Sequence, residues 1–348
     1  MRYQLLGRTG LKVSVLCLGT MTFGSSPSPS TLPGSSEKES LMVLDRFLDA
    51  GGNFIDTADG YAEGRSEEIL GKGIKGRRHQ IVLATKVFSL TGKGPNQKGL
   101  SRKHIAEAVE NSLRRLDTDY IDLYQAHCFD SRTPLEETLE ALDQLVRQGK
   151  VLYLGCSNFA GWQLAKALGI SRARGLSKFE CLQPQYSLVC RSIERELLPL
   201  CREEGVGVIP WSPLAGGFLS GKYRPGGARP SGSRLAESDP ASRGSIERFL
   251  TERNFRILGV VEAVARELGK SASQVALAWL LAAREVTAVI FGARTISQLE
   301  ENLSAIGWDF PRELWLRLDQ ASALPMEYPQ DVQNALEPLI HGDVDPRP

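Results

Sequence analysis

The sequence lacks the features that mark nucleic-acid binders, membrane proteins and disulfide-stabilised domains. Its 348 residues include 42 Lys plus Arg and 41 Asp plus Glu, so the formal net charge is only +1. Nucleic-acid binding and membrane-surface binding usually need a clear basic excess or a basic amphipathic helix. No apolar run reaches the roughly 18 residues of a membrane span, and the N-terminus lacks the apolar stretch of a secretory signal. We expect a cytoplasmic protein with no nucleic-acid partner and no membrane partner.

Paired cysteines and clustered histidines are also missing. The six cysteines form no C-x-x-C pair, and in a chain of this length we expect small apolar residues in a reducing compartment. They are Cys17, Cys128, Cys156, Cys181, Cys190 and Cys201. The four histidines show no metal-ligand spacing, so no metal site is expected.

Short apolar segments alternate with amphipathic helical patterns along the chain, which predicts an α/β fold. Eight segments are candidate strands: 15–18, 53–55, 81–84, 121–124, 152–155, 181–183, 206–209 and 288–290. Strands covered on both faces are mostly apolar, and eight of them favour a (β/α)8 TIM barrel. An open doubly wound sheet is the alternative, but no G-x-G-x-x-G follows the first segment.

Two flanking features complete the predicted architecture. A hairpin pattern at 3–6 and 11–13 precedes the first barrel strand and predicts a β-hairpin that closes the bottom. Irregular segments at 25–36, 89–100 and 223–245 follow strands one, three and seven, so they predict long loops at the C-terminal face. We predict a single domain over residues 1–348, with a core at about 1–310 and a C-terminal tail at about 311–348.

Titratable residues follow the ends of three successive strands. Asp56 and Tyr61 follow the second strand, Lys86 ends the third and His127 ends the fourth. A buried lysine needs a carboxylate partner, and Asp56 is the natural one. A nearby ammonium is expected to lower the phenol pKa of Tyr61 from about 10, which suits a proton donor. Singly, a capping role for Asp56 and packing roles for Tyr61 and His127 remain open.

These strand ends resemble the signatures of the aldo-keto reductase superfamily. The matching stretches are Asn53-Phe54-Ile55-Asp56-Thr57-Ala58 with Tyr61, Ala84-Thr85-Lys86, and Asp122-Leu123-Tyr124-Gln125-Ala126-His127. The resemblance covers about residues 1–310. It implies four catalytic residues: Tyr61 as the acid, Lys86 to lower its pKa, Asp56 to fix Lys86, and His127 to orient a carbonyl.

The resemblance also implies NADPH as the cofactor. Ser157, Asn158 and Gln183 would bind the nicotinamide carboxamide, and Trp211 would stack on the ring. A glycine-containing loop at 212–222 suits a pyrophosphate, and Arg294 at a helix start suits a 2′-phosphate. The full expected set is Gly19, Thr20, Met21, Asp56, Ser157, Asn158, Gln183, Trp211, Ser212, Pro213, Leu214, Gly216, Gly217, Lys222, Gly292, Arg294, Gln298, Glu301 and Asn302.

The expected activity is NADPH-dependent reduction of an aldehyde or ketone, a small-molecule carbonyl. The substrate is expected to contact Phe23, Tyr61, Phe88, His127 and Phe129. One alternative is NAD(P)-dependent oxidation of a secondary alcohol such as a sugar or cyclitol. Another is a regulatory subunit of an ion channel, which the absence of an extension before the hairpin disfavours. Monomers and ring assemblies both occur on this scaffold, so no oligomeric state is predicted.

Overall fold

The chain begins with the expected hairpin. The computed structural model describes residues 1–24, 34–238 and 240–342, so most of the segment predicted at 25–36 lies outside the described residues. Strands β1 (Tyr3–Leu5) and β2 (Lys12–Ser14) pair antiparallel. The hairpin is therefore confirmed at the position that the sequence predicts.

Eight parallel strands follow and form the barrel. They are β3 (Leu16–Gly19), β4 (Phe54–Asp56), β5 (Val82–Val87), β6 (Ile121–Ala126), β7 (Val151–Ser157), β8 (Phe179–Gln183), β9 (Gly207–Val208) and β10 (Val289–Phe291). Their order is β10-β3-β4-β5-β6-β7-β8-β9. Backbone N–H groups of Thr287 and Ile290 donate to the carbonyls of Val208 (2.8 Å) and Pro210 (3.0 Å). These bonds join the two ends of the sheet, so the predicted (β/α)8 barrel is confirmed.

Helices cover the outside of the strands. They are α1 (Glu37–Asp49), α2 (Arg65–Ile74), α3 (Arg102–Leu116), α4 (Leu135–Arg147), α5 (Gly161–Arg174), α6 (Leu197–Glu204), α7 (Arg234–Glu237), α8 (Pro240–Glu247), α9 (Glu252–Leu268), α10 (Ala272–Leu281), α11 (Ile296–Leu303), α12 (Arg312–Ser322) and α13 (Gln330–His341). Within the described ranges, none of these helices has both the length and the apolar character needed to span a membrane.

Local sequence explains where the helices begin and end. Ser101 caps α3 by accepting the His104 N–H, and Ser36 and Glu39 form a capping box on α1. Helices α6 and α9 end at Gly205 and Gly269 in the left-handed conformation that glycine tolerates. The C-terminal tail has an irregular sequence pattern, but the structure contains helix α13 there. The apolar side chains of α13 are exposed.

Two hydrophobic cores hold the barrel together. The larger one lies between strands and helices, and the smaller one fills the barrel interior with side chains that include Cys17, Phe54 and Leu123. Leu6, from the end of the hairpin, is fully buried in this inner core, and the Arg8 N–H donates to the Gly205 carbonyl. The hairpin therefore closes the bottom of the barrel by filling it with a side chain, as predicted.

Three strands run further than their apolar patterns predict, whereas β9 is shorter than the predicted 206–209 and covers only Gly207–Val208. Strand β5 continues to Val87, β6 to Ala126 and β7 to Ser157. The predicted strands stop earlier because polar residues such as Lys86 and Gln125 interrupt the apolar runs. Inside the barrel mouth both side chains donate hydrogen bonds to Asp56, so each strand continues through its polar residue.

We predict that Gly7→Ala destabilises the protein by roughly 2–4 kcal/mol. Gly7 has a φ of +57°, and an added Cβ would lie 2.7 Å from the Glu180 carbonyl oxygen. Gly10 of the same turn is the matched control, because its added Cβ would meet nothing within 4 Å. Urea unfolding measures both variants, and equal midpoints would contradict this role of the hairpin.

Candidate active site

The four residues predicted to be catalytic meet at the barrel mouth. Lys86 Nζ lies 2.5 Å from Asp56 Oδ2, 2.7 Å from the Thr57 carbonyl oxygen and 3.1 Å from the Tyr61 hydroxyl. Lys86 has no exposed surface and Asp56 is 2% exposed. The rings of Tyr61 and His127 meet edge to face, with centroids 5.8 Å apart. The structure thus brings together side chains from three neighbouring strands.

Strand register and one strained turn position these side chains. Asp56 ends β4 opposite Ala84 of β5, and Lys86 follows Ala84 by two residues, on the same face of β5. Tyr61 begins a short turn in which Ala62 (φ 47°) and Glu63 (φ 57°) adopt left-handed backbone conformations. Such conformations cost roughly 1–2 kcal/mol for a residue with a Cβ. The surrounding packing therefore holds this turn in a conformation that directs Tyr61 back to Lys86.

Lys86 keeps its charge in this buried position. Burial lowers the pKa of Lys86, but the carboxylate of Asp56 and the Tyr61 hydroxyl raise it above its ordinary value. A buried ammonium is stable only when paired and hydrogen-bonded, and Lys86 meets both conditions.

The pKa of Tyr61 departs from the sequence prediction, which was wrong in direction. Burial raises the pKa of Tyr61 above 10, and the nearby carboxyl groups of Asp56 and Asp59 raise it too. Lys86 lowers this pKa, but not enough to offset burial. Tyr61 is therefore protonated at neutral pH and can donate a proton.

His127 is neutral at the same pH. Burial, together with the positive charge of Lys86, lowers the pKa of His127 to about 3. A neutral imidazole can donate one hydrogen bond and accept another. It can thus orient an uncharged oxygen atom without adding a second positive charge beside Lys86.

Two glutamines hydrogen-bond to the second carboxylate oxygen of Asp56, and the sequence predicts no role for one of them, Gln125. Asp56 Oδ1 accepts hydrogen bonds from Gln183 Nε2 (2.8 Å) and Gln125 Nε2 (3.1 Å). Gln183 Nε2 also donates to Gln125 Oε1 at 3.2 Å. The signal for Gln125 is the two-residue alternation of Leu123, Gln125 and His127 along β6, which places Gln125 on the inner face.

The residues predicted to bind the carboxamide lie beside His127. Asn158 donates from Nδ2 to the His127 carbonyl oxygen (2.8 Å) and to Ser157 Oγ (3.0 Å). Ser157 Oγ donates in turn to the Gln183 carbonyl oxygen at 2.7 Å. On the opposite side, Thr20 donates to the Asp56 carbonyl oxygen (3.1 Å) and Met21 is 37% exposed.

Three positive charges lie close together. They are Lys222 and Arg294, which the sequence predicts as cofactor residues, and Arg234 of α7, to which it gives no role. We call the surface that these three residues line the groove. Burial and the neighbouring guanidinium groups lower the pKa of Lys222, and burial and Arg294 lower that of Arg234. An added Cβ on Gly292 would lie 3.9 Å from an Arg234 nitrogen. Arg234 begins the four-residue helix α7 within the irregular segment 223–245, which carries no motif, so only its charge could have suggested it.

The remaining predicted cofactor residues have partners within the protein. Arg294 binds Glu237 Oε2 (2.9 Å) and the Gly232 carbonyl oxygen (2.5 Å). Glu301 Oε1 accepts from Ser271 Oγ, and Gln298 Oε1 accepts the Arg294 N–H. Gly216 and Gly217 have φ values of 66° and 92°, a backbone that brings Lys222 to within 2.9 Å of a Cβ added at Gly217.

The predicted substrate wall is only partly at the mouth. Phe23 has no exposed surface and belongs to the outer core, so its ring offers nothing to a substrate. Phe88 and Phe129 are partly buried at strand ends. The Phe129 ring packs edge to face on Phe159 (5.4 Å) and Trp162 (5.8 Å), which forms an aromatic rim.

Fold and site together define a barrel oxidoreductase. Residues 15–323 match the model of the Aldo/keto reductase family, and the chain belongs to that family. Members of this family generally use a nicotinamide cofactor.

Several relatives match nearly the whole chain. An uncharacterized oxidoreductase, YrpG, of Bacillus subtilis is 41% identical, covering 90% of this chain and 94% of its own. A probable voltage-gated potassium channel subunit beta of Arabidopsis thaliana is 40% identical over 88% and 91%. The norsolorinic acid reductase stcV of Emericella nidulans is 35% identical over 92% and 81%.

We predict that the His127 imidazole does not titrate between about pH 4.5 and 8, because its pKa lies near 3. Lys86→Met removes a charge that lowers this pKa, so the pKa of His127 should rise in that variant. Imidazole nitrogen NMR shifts measure both effects, with Lys166→Met as a control for a surface charge. Protonation of the wild-type ring near pH 6.5 would contradict the prediction.

Proposed function

We propose that the protein reduces an aldehyde or ketone to an alcohol with NADPH. The observation that carries the proposal is the Lys86 ammonium shared by the Asp56 carboxylate and the Tyr61 hydroxyl. It supplies a proton donor beside a fixed positive charge, in a mouth that a small carbonyl compound can reach.

The donor set of the groove fits a dinucleotide. Lys222, Arg234 and Arg294 suit phosphate groups, and the left-handed glycines Gly216 and Gly217 let the backbone approach an anion closely. Trp211 Nε1 is buried without a hydrogen-bond partner among the described residues, and the indole lies at the end of β9. When bound with its nicotinamide beside Ser157 and Asn158, NADPH would supply a hydride to the carbonyl carbon.

The protein's own residues would handle the proton. His127 holds the carbonyl oxygen by a hydrogen bond, and Tyr61 transfers its hydroxyl proton to that oxygen as negative charge develops there. The phenolate that remains on Tyr61 faces the Lys86 ammonium, which stabilises it. Asp56 keeps Lys86 in place, because the two glutamines and Lys86 hold both of its oxygens.

The charges of the groove favour NADPH over NADH. A 2′-phosphate adds two negative charges near neutral pH, and a planar guanidinium can bind it by two parallel hydrogen bonds. Arg234 lies near Gly292 and close to Arg294, whose guanidinium binds the Glu237 carboxylate. Binding of the phosphate would replace Glu237 on that guanidinium.

A second candidate function comes from the comparisons. The relatives from Arabidopsis thaliana and Oryza sativa, at 40% and 39% identity, are named as probable potassium channel beta subunits. A role of that kind would show as tight binding to a channel segment with negligible turnover. Oxidation of a secondary alcohol uses the same groups in reverse, with the Tyr61 phenolate accepting the proton.

A substrate panel tests the proposed reaction directly. Aldehydes, ketones and sugars are each mixed with NADPH or NADH, and secondary alcohols with oxidised NAD, and the change in reduced-cofactor absorbance is followed. Turnover of carbonyl compounds with NADPH is the expected result. If only the secondary alcohols turn over, with oxidised NAD, the proposed carbonyl reduction is wrong and alcohol oxidation takes its place.

We predict that Tyr61→Phe lowers kcat by roughly 100- to 10,000-fold, since it removes the general acid. NADPH binding, measured by fluorescence titration, should change little. Tyr153→Phe on β7 is the matched control and should keep wild-type turnover. Reduction at the wild-type rate by Tyr61→Phe would exclude the proton-donor role.

We predict that Arg294→Ala weakens NADPH binding roughly 10- to 100-fold and NADH binding much less. Arg234→Ala should show the same preference. Isothermal titration calorimetry with both cofactors measures it, and Arg174→Ala, which removes an exposed arginine of α5, serves as the control. An equal loss for the two cofactors would rule out a 2′-phosphate at this position.

A further inference from the structure

A second group of buried titratable side chains lies next to the four active-site residues. Asp59 is 2% exposed, and Glu67 of α2 and Tyr124 of β6 have no exposed surface. Neither the proton path nor the cofactor groove uses any of them. Buried carboxyl groups are unfavourable unless they are paired, so their partners need an explanation.

Asp59 connects the loop that carries Tyr61 to the loop that follows β5. Its N–H donates to the Lys86 carbonyl oxygen at 3.1 Å. Its Oδ2 accepts the Phe88 N–H at 3.4 Å, and the Ser89 side chain also hydrogen-bonds to the carboxyl group. The two loops touch next to Asp59, since a Cβ added on Gly60 would lie 2.4 Å from the Ser89 Cβ. Asp59 therefore joins the loop of the proton donor to the segment that follows β5.

Asp59 and Glu67 differ in how they are paired. Glu67 accepts from Thr85 Oγ1 (2.6 Å) and from Arg115 Nε (2.7 Å), so a cation balances its charge. Asp59 has no cation within hydrogen-bond distance among the described residues, and its Oδ1 has no hydrogen-bond partner there. The hydroxyl of Tyr124 is also buried and has no hydrogen-bond partner in the described part of the chain. An unpaired buried carboxyl group favours its protonated form.

The surroundings of Asp59 also favour the protonated form of its carboxyl group. Burial and the negative charge of Glu67 raise the pKa of Asp59 to about 7, against opposing effects of Ser89, Phe88 and Arg115. The other titratable groups that interact with Asp59 are Tyr61 and Tyr124 of β6. His104 of α3 hydrogen-bonds to the Ser89 backbone, and Lys86 accepts the Asp59 N–H through its backbone carbonyl. The negative charge of Asp59 in turn raises the pKa of Tyr61.

We propose that Asp59 is a positioning residue that acts through Tyr61, with a carboxyl group that is protonated in the more active form of the enzyme. Loss of that proton places a negative charge behind Tyr61 and makes its hydroxyl a weaker acid, so carbonyl reduction slows as the pH rises past neutral. The inference rests on the proposed role of Tyr61 as proton donor.

The main test compares Asp59→Asn with wild type at saturating NADPH and carbonyl substrate. Because asparagine cannot ionise, the ratio of variant to wild-type kcat should rise at least about threefold between about pH 5.5 and 8.5. Glu68→Gln changes an exposed carboxylate of the same helix as Glu67, and its ratio should stay flat. A flat ratio for Asp59→Asn would overturn the proposal.

A second variant moves the titration instead of removing it. Glu67→Gln removes a negative charge that raises the pKa of Asp59, so the decline of kcat should shift to lower pH. An unchanged position of the decline would overturn the assignment to Asp59, even if Asp59→Asn folds poorly.

Thermal unfolding separates this inference from the proposed function. The pKa of Asp59 is about 7 in the folded protein against an ordinary value of 3.8, so its contribution to stability is lost as the pH rises between those values. The Tm of Asp59→Asn minus the Tm of wild type should therefore become more positive from about pH 4 to 7 and then level off.

The outcomes are distinguishable. If wild type reduces no carbonyl, the proposed function and the role of Asp59 both fail, while the thermal data still report whether Asp59 holds a proton. If wild type is active and the kcat ratio is flat, only the role of Asp59 fails.

Discussion

Closure of eight parallel strands into a ring is the constraint on which the site depends. All eight strands run in one direction, so their carboxyl ends meet at one mouth, and residues remote in sequence become neighbours. The bonds from Thr287 and Ile290 to the end of β9 complete this ring. Without closure, the cofactor residues after β9 and β10 would lie far from Lys86 on β5.

The mouth is also where the inner core changes from apolar to polar. Below it, Phe54 and Leu123 pack with Leu6 of the hairpin. Above it, Lys86 and Asp56 are charged residues with almost no exposed surface. This arrangement is stable because every polar atom of the pair has a partner, and removal of either residue would leave a buried charge unmatched. The same burial strengthens the influence of each charge on Tyr61 and His127.

Much of the fold and of the site could be predicted from the sequence, for identifiable reasons. Apolar runs of strand length mark the barrel, and polar residues at their ends mark the mouth, because both patterns are local. The balance at Tyr61 between burial, which raises its pKa, and the Lys86 charge, which lowers it, depends on residues far apart in sequence. The direction of this pKa shift was therefore predicted wrongly. Gln125 was missed because a polar residue inside a strand looks like the end of that strand.

Residues whose importance comes from distant neighbours escaped prediction altogether. Arg234 begins a four-residue helix in a segment without a sequence pattern, and only the fold brings it to Lys222 and Gly292. Asp59 follows Asp56 by three residues, yet its surroundings are set by α2, α3 and β6. Phe23 follows a strand end as a pocket residue would, but the chain turns its ring into the outer core.

The number of hydrogens on the Lys86 ammonium limits which ligands the mouth can bind. An ammonium group has three hydrogens, and Lys86 faces three acceptors: Asp56, the Thr57 carbonyl and Tyr61. No hydrogen is left for a fourth oxygen atom, so the Lys86 ammonium cannot donate a hydrogen bond to a ligand that enters the mouth. A ligand with a carboxylate or a phosphate gains no direct bond there, and selectivity at this end of the groove falls to shape and to uncharged donors.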